Sequence, residues 1–351
     1  MIAELIEPQD TRWSDFLASA RHDFYHLPEY ALFSARHEGG TPVAFYARDD
    51  DATFLVPLLL RPLPSHLGAP GDWCDATTPY GYPGPILSPI TDTAALERFL
   101  EALRGVATAH NVVTAFFRLH PFFPLPEQLL SRFGTVVNHG QTVHIDLTLS
   151  PDEMWSQTRD NHRRGIKKLT AAGFYTQLDN WDFYQEFINI YHVTMNRVEA
   201  SAFYFFSDSY FTDLRAALGP RLHLVTVHSP EGNVAAGALF TVSEGIVQYH
   251  LGGTADAYLS QAPAKLVFDF ARRWAKEAGG TVLHLGGGTG GQADSLYQFK
   301  AGFSKLRTDF YTFRVILDEG KNATLVQQWR EQCKGAGENA NFFPTYRQPC
   351  I

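Results

Sequence analysis

Residues 283–303, LHLGGGTGGQADSLYQFKAGF, are the stretch whose reading decides the fold. The apolar run Thr281 to Leu285 has the character of a short strand and stops at three consecutive glycines. Asp294 then has the chemistry of a helix N-cap, Ser-Leu-Tyr-Gln-Phe-Lys follows as a short helix, and Gly302 stops it. Strand, glycine turn, short helix and glycine stop place a few side chains at the end of a sheet. The glycines allow positive φ and a close approach of a ligand or second segment to the main chain. Lys300 falls in the last turn of this helix, where a cation suits the helix dipole. It reads either as a capping charge or as a cation aimed into a cleft.

At 351 residues the chain has the length of two domains or one large one. Hydrophobic residues make up 45% and include 27 phenylalanines, enough for a sizeable core. The net charge of −8 excludes a surface coated with positive charge for nucleic acid, though not a local basic groove. Cys74, Cys333 and Cys350 have no paired spacing, which predicts neither a disulfide framework nor a zinc site and points to a reducing compartment. The N-terminus lacks the regions of a signal peptide, and no run approaches the roughly 18 apolar residues of a spanning helix. These features predict a soluble, cytoplasmic protein.

Along the chain, short helices are expected over 13–20 and from Pro28, then a hairpin from Val43–Arg48 and Thr53–Leu60. Residues 61–90 read as a long loop dense in proline and glycine, carrying Trp73 to Pro85, WCDATTPYGYPGP. A helix, a strand at 112–118, a short helix near 127–133 and a strand at 142–147 follow. Ser150-Pro-Asp-Glu then opens a helix that runs into RDNHRRGIKKLTAAG, with five Arg or Lys over ten residues. Beyond Gly173 the expected order is strand, two helices, three strands joined by hairpin-like turns, helix, strand, the glycine stretch, and a last strand at 306–317.

A central antiparallel meander followed by a helix and a further strand is the order of an N-acetyltransferase-like (GNAT) α/β domain. The first half repeats that order in weaker form. The predicted fold is therefore α/β, with two tandem GNAT-like domains, 1–148 and 149–318, and a cleft between them where ligand sites commonly form. Residues 319–351 form a C-terminal helix and tail packing back on domain 1.

The residues also carry a family likeness. The run RRGIKKLTAAGF, the segments TMNRVEASAFYFF and YHLGGT, the stretch LGGG…DSLYQFKAGF, the loop PYGYPGP, the early YHLPEYA and the tail FFPTYR occur in the order found in one group. By them the chain resembles the FemA/FemB/FemX family of aminoacyl-tRNA-dependent peptidyltransferases. The resemblance implies transfer of an amino acid from the 3′ ester of a charged tRNA onto an amine of a peptide or peptidoglycan precursor, including a lipid-linked precursor at a membrane surface. It implies no cofactor and no metal, with aminoacyl-tRNA as co-substrate. By the same resemblance Lys300 lies beside the tRNA terminus and developing oxyanion, Phe299 lines that channel, and Arg197 holds the diphosphate of a nucleotide-linked precursor. The chain departs from the family in having no lysine between Tyr25 and Gly40, where Arg36 is the candidate cation, and in lacking a coiled-coil arm in domain 2.

Aminoacyl transfer asks for positioning of amine and ester, and for a cation at the tetrahedral oxyanion. A compact ammonium such as Lys300 suits that task. Arg159, Arg163, Arg164, Lys167 and Lys168 are candidates for tRNA phosphates, with Arg163 and Lys167 on one helix face and Arg164 and Lys168 on its neighbour. A solvated helix face is the plain alternative. Asp75, His250 and His284 are candidate acid or base groups, although the two histidines alternate with apolar strand residues as core histidines do. Tyr80, Tyr82, Asp75 and Tyr249 are candidate substrate contacts. Two other readings compete: an acyl-CoA-dependent N-acyltransferase on the same fold, and a non-catalytic peptide- or glycan-binding relative. LSQAPAKLV, with Pro263 and no glycine where a pyrophosphate loop would stand, argues against acyl-CoA.

Overall fold

The computed structural model describes residues 1–89, 93–335 and 337–350. Residue 90 of the predicted loop and residues 336 and 351 of the predicted tail lie outside them. The chain forms two compact units, Met1–His139 with Phe310–Ile351, and Gly140–Asp309. These bounds fall inside long strands, whereas the sequence reading put them between predicted elements, after residues 148 and 318.

Unit 1 contains β1 (Ile2–Ile6), α1 (Thr11–Ser19), α2 (Pro28–Glu38), β2 (Thr41–Arg48), β3 (Thr53–Pro62), β4 (Cys74–Thr77), β5 (Ile86–Ser88), α3 (Thr93–Ala109), β6 (Val112–Arg118) and α4 (Glu127–Leu130). Strands β1, β2, β3, β4 and β6 lie side by side in that order, with β5 pairing on β3. The β2–β3 hairpin is antiparallel and β4–β6 is parallel, as the α3 crossover requires. Phe45, Phe54, Phe99 and Phe117 fill the core between sheet and helix. The predicted loop over 61–90 contains β4 and β5. Both are too short for their alternation to stand out among prolines and glycines, and β1, five residues long, is too short to show a pattern of its own.

Chain passes between the units occur within β7 (Thr135–Asp146) and β13 (Leu306–Ile316). Unit 2 contains α5 (Pro151–Gln157), α6 (Asp160–Ala171), β8 (Tyr175–Leu178), α7 (Tyr184–Arg197), α8 (Asp208–Leu218), β9 (Leu222–His228), β10 (Val234–Ser243), β11 (Ile246–Thr254), α9 (Ala264–Glu277), β12 (Val282–Gly286) and α10 (Ser295–Lys300). Strands β8 to β11 form an antiparallel meander, and β11 then pairs parallel with β12. Phe240, Phe268, Leu283 and Phe303 lie at the heart of this unit's core. Among the described residues no helix is long and apolar enough to cross a membrane.

Ser150 and Glu153 form the capping box read from the sequence, but the helix they open is not continuous. It ends at Gln157 and restarts at Asp160. Buried Arg272 of α9 occupies the break, donating to the Met154 carbonyl (3.1 Å), Thr158 Oγ1 (2.7 Å) and Asp269 Oδ1 (2.5 Å). That corner sets the direction in which the basic helix α6 leaves.

The C-terminal segment, with α11 (Glu319–Gln332), packs in unit 1 through Leu325, Trp329 and Tyr346. Here the cysteine reading is corrected. Cys333 and Cys350 form a disulfide across 17 residues with Cα atoms 5.1 Å apart, because the tail turns back beside the end of α11. Spacing alone could not show that turn, and the predicted reducing compartment loses its basis. Cys74 is free.

Replacing Arg272 by Met should strip three acceptors of their buried donor. We expect a loss of about 3 kcal/mol in urea unfolding, the lower end for a broken buried ion pair because Arg273 also holds Asp269. A loss below about 1 kcal/mol would show that the corner does not depend on this guanidinium.

Candidate functional site

Parallel pairing of β11 with β12 covers only Ile246–Val282, Val247–Leu283 and Gln248–His284. Both strands run on, to Thr254 and Gly286, without further pairing to each other, so they part beyond Gln248 and His284. On the other side of β11 the register with β10 shifts between Leu239 and Phe240, leaving His250 as the extra residue of a bulge. Beside it the Tyr249 ring packs on Phe268 (4.9 Å between centroids) and Phe240 (5.8 Å). A Cβ on Gly252 would sit 2.5 Å from the Tyr249 hydroxyl, so glycine is what lets the ring lie there.

The glycine turn after β12 is closed by Asp294. Its carboxylate accepts from the backbone N–H of Thr289 (2.9 Å) and of Tyr297 (2.8 Å), capping α10 as predicted. A side chain on Gly288 would collide with the Gln292 carbonyl and Asp294 Oδ1. At the far end of α10, Lys300 does not cap its own helix. Its side chain turns inward, is 5% exposed, and donates from Nζ to the Gly287 carbonyl at 2.7 Å. The ammonium stands 5.4 Å from the centre of the Tyr249 ring. Burial pulls its pKa down to about 7, an effect the Asp294 carboxylate partly offsets.

Two hydrogen bonds lock α10 to the basic helix. The Arg159 N–H donates to the Gly302 carbonyl (2.8 Å) and His162 Nε2 donates to the Phe299 carbonyl (3.0 Å), while Gly302 leaves room for the His162 ring. His162, unmarked by the sequence reading, occupies the buried stripe of α6 with Ile166 and Leu169. Its spacing with those two residues was the available clue. Phe299 packs among His162, Phe268 and Phe303, so its ring belongs to the core around the site.

Tyr249 and Lys300 are thus brought together, and the other candidates are placed as follows. Arg164, Lys167 and Lys168 are exposed on α6, as is Arg159 at its start. Arg163 is drawn back to Asp160 and the Ser156 carbonyl (3.2 Å), so it is less available than its helix position implied. Arg197, the expected anion clamp, makes its contacts within unit 2. Its Nη1 pairs with Asp256 and donates to the Thr254 carbonyl (3.2 Å), while Nη2 donates to Thr194 Oγ1 (3.2 Å). His250 is pulled down to about 4 by burial, with Nε2 3.3 Å from the Tyr210 hydroxyl. His284 is a core residue whose Nδ1 lies 2.7 Å from Gln248 Oε1.

Asp75, Tyr80, Tyr82 and Arg36 lie in unit 1. Asp75 is corrected from an acid, base or substrate contact to a structural anion. It is fully buried and shared by the Nε groups of Arg61 (2.8 Å) and Arg347. Tyr80 is fixed through its backbone, its N–H donating to Glu38 (3.0 Å) and its carbonyl accepting from Tyr30 (3.0 Å). The Tyr82 ring packs edge-on against Phe310 (5.1 Å) and Tyr25 (5.8 Å). Arg36 is exposed in the last turn of α2. No cluster of metal-ligating groups occurs among the described residues.

Residues 156–301 match the family described as acetyltransferase (GNAT) domain. Among curated proteins nothing matches this chain. Similar solved structures include FemX, at 14% identity and TM-score 0.70, covering 92% of this chain and 99% of that one. L-PGS from Bacillus licheniformis is 16% identical with TM-score 0.53, over 92% of this chain and 97% of that one. The C-terminal domain (DUF2156) of an Agrobacterium fabrum protein assigned as a lysylphosphatidylglycerol synthetase is 13% identical with TM-score 0.52, over 90% and 93%. At these identities the likeness is one of fold: α/β, with tandem GNAT-type units.

Gly288→Ala should force Asp294 away from its cap. We expect a loss of about 1–3 kcal/mol in denaturant unfolding, the usual cost of overpacking. Stability equal to that of the unsubstituted protein would mean that the turn has slack the contacts do not reveal.

Proposed function

We propose that this protein transfers an aminoacyl group from the 3′ ester of an aminoacyl-tRNA to an amine of a peptide or peptidoglycan precursor, forming an amide. The observation that carries the proposal is Lys300, a buried cation at the mouth of parted strands with a pKa of about 7. In this reaction the acceptor amine attacks the ester carbonyl carbon, and its C–O bond to the tRNA ribose breaks after a tetrahedral oxyanion forms. The amine's proton leaves and the ribose 3′ oxygen departs as a hydroxyl. Lys300 contributes an ammonium donor for the oxyanion, which is where electrostatic stabilisation is worth most. A near-neutral pKa also suits it to hand a proton to the departing oxygen.

The exposed cations of α6 support a polyanionic donor. They belong to a helix fastened to α10, so phosphates held on α6 would be held in fixed relation to Lys300. The fold shared with FemX, and with a synthetase named for the lysyl ester of a phospholipid, supports aminoacyl transfer and leaves a lipid-linked acceptor within the proposal. The GNAT match favours acyl-CoA as the competing donor. Against it, the Lys265 and Leu266 N–H groups at the start of α9 already donate to Ala262 and Pro263 carbonyls, where a pyrophosphate would need them.

Charged tRNAs and acyl-CoAs offered as donors with precursor amines decide between the two. Consumption of an acyl-CoA, with every charged tRNA untouched, would overturn the proposal. With the true donor, kcat should fall as pH rises through about 7, because the ammonium form is the active one. Lys300→Met should lower kcat by about 100-fold or more and abolish that limb, whereas a variant retaining it would acquit Lys300. Stability should move the opposite way. Between about 7 and the unfolded value near 10.4 the folded state binds fewer protons, so stability rises with pH, a rise that Lys300→Met removes.

Replacing Lys167 and Lys168 by Ala should weaken tRNA binding and reduce the slope of log affinity against log salt by about 1–2. An unchanged slope would return α6 to a solvated face.

A further inference from the structure

Unit 1 has a cavity of 320 Å³ that the proposed transfer does not use. Its lining includes Arg61, Arg347, His66, Phe342, Phe343 and Tyr346. The two arginines approach each other because they share Asp75, a fully buried carboxylate that takes one Nε–H from each. Two cations on one anion leave a net positive charge in a protein whose overall charge is −8. Arg347 spends Nη2 on the carbonyls of Pro62 (2.6 Å) and Arg61 (3.5 Å). That leaves Arg347 Nη1 and both terminal nitrogens of Arg61 without an acceptor among the described residues.

The cavity wall is preformed. Tyr346 is fully buried with its hydroxyl 2.7 Å from Thr114 Oγ1, Trp329 Nε1 donates to the Gln348 carbonyl (2.7 Å), and the Cys333–Cys350 disulfide fastens the end of the segment. At the rim the rings of His66 and Phe342 are exposed.

We infer that this cavity is a binding site for a small ligand that joins a phosphate to a planar ring, the class of the nucleoside monophosphates. Three terminal guanidinium nitrogens fixed by one carboxylate match the three oxygens of a phosphate monoester better than the two of a carboxylate. The exposed rings give the base a surface to stack on. The volume is at the lower end for ligand sites, which selects a mononucleotide over a larger cofactor. The site is built wholly from unit 1 and is independent of Lys300.

The test is calorimetric titration of the full chain with AMP, adenosine and inorganic phosphate. AMP should bind at least tenfold more tightly than either fragment. Arg61→Ala strands half of a buried ion pair and risks misfolding, so the rim carries the mutational arm. Phe342→Ala and His66→Ala should each weaken AMP by about tenfold, the worth of a lost stacking surface, while leaving inorganic phosphate unchanged. Equal affinity for AMP and adenosine would overturn the phosphate assignment. Full AMP affinity in both rim variants would overturn the site.

Discussion

An ammonium taken out of water must find acceptors or lose its proton. Lys300 meets that requirement with the Gly287 carbonyl and the face of Tyr249, and the pKa of about 7 records how incompletely they replace water. The surrounding geometry exists to keep these groups in place. The glycine turn aims a carbonyl inward, Asp294 closes the turn and starts the helix that carries the lysine, and Gly252 clears the space for the tyrosine. Parting of β11 from β12 leaves this charge at a mouth rather than inside a closed sheet.

The same constraint reaches the basic helix by a second route. Arg272 breaks the helical run at Thr158, and the restarted α6 is bound to α10 through Gly302 and the Phe299 carbonyl. A polyanion held on Arg164, Lys167 and Lys168 would therefore be registered against Lys300 without any contact between the two sets of side chains. Unit 1 spends its buried charge differently. Asp75 joins Arg61 to Arg347, and Asp23 of the loop before α2 lies 2.9 Å from His120 Nε2, so buried carboxylates there tie segments together.

Much of this was legible beforehand because it is local. The meander β9 to β11 follows from alternation and hairpin turns, Asp294 from cap chemistry, and the Ser150 box from its spacing with Glu153. Less legible were the roles of charged residues. Arg197 and Asp75 had the right residue types for a site, yet the first pairs with Asp256 and the second with two arginines. Sequence shows a charge but not whether a partner far along the chain has already taken it.

By itself, then, the sequence determined the order of elements, the glycine turn and the helix that carries Lys300, since each depends on residues within a few positions of one another. Only the tertiary structure decided which way that lysine points, that Tyr249 faces it, and that Cys333 meets Cys350. The helix dipole would tolerate a cation at position 300 in either direction. What turns it inward is a carbonyl thirteen residues earlier and a strand from another part of the unit, brought near by packing that no local pattern encodes.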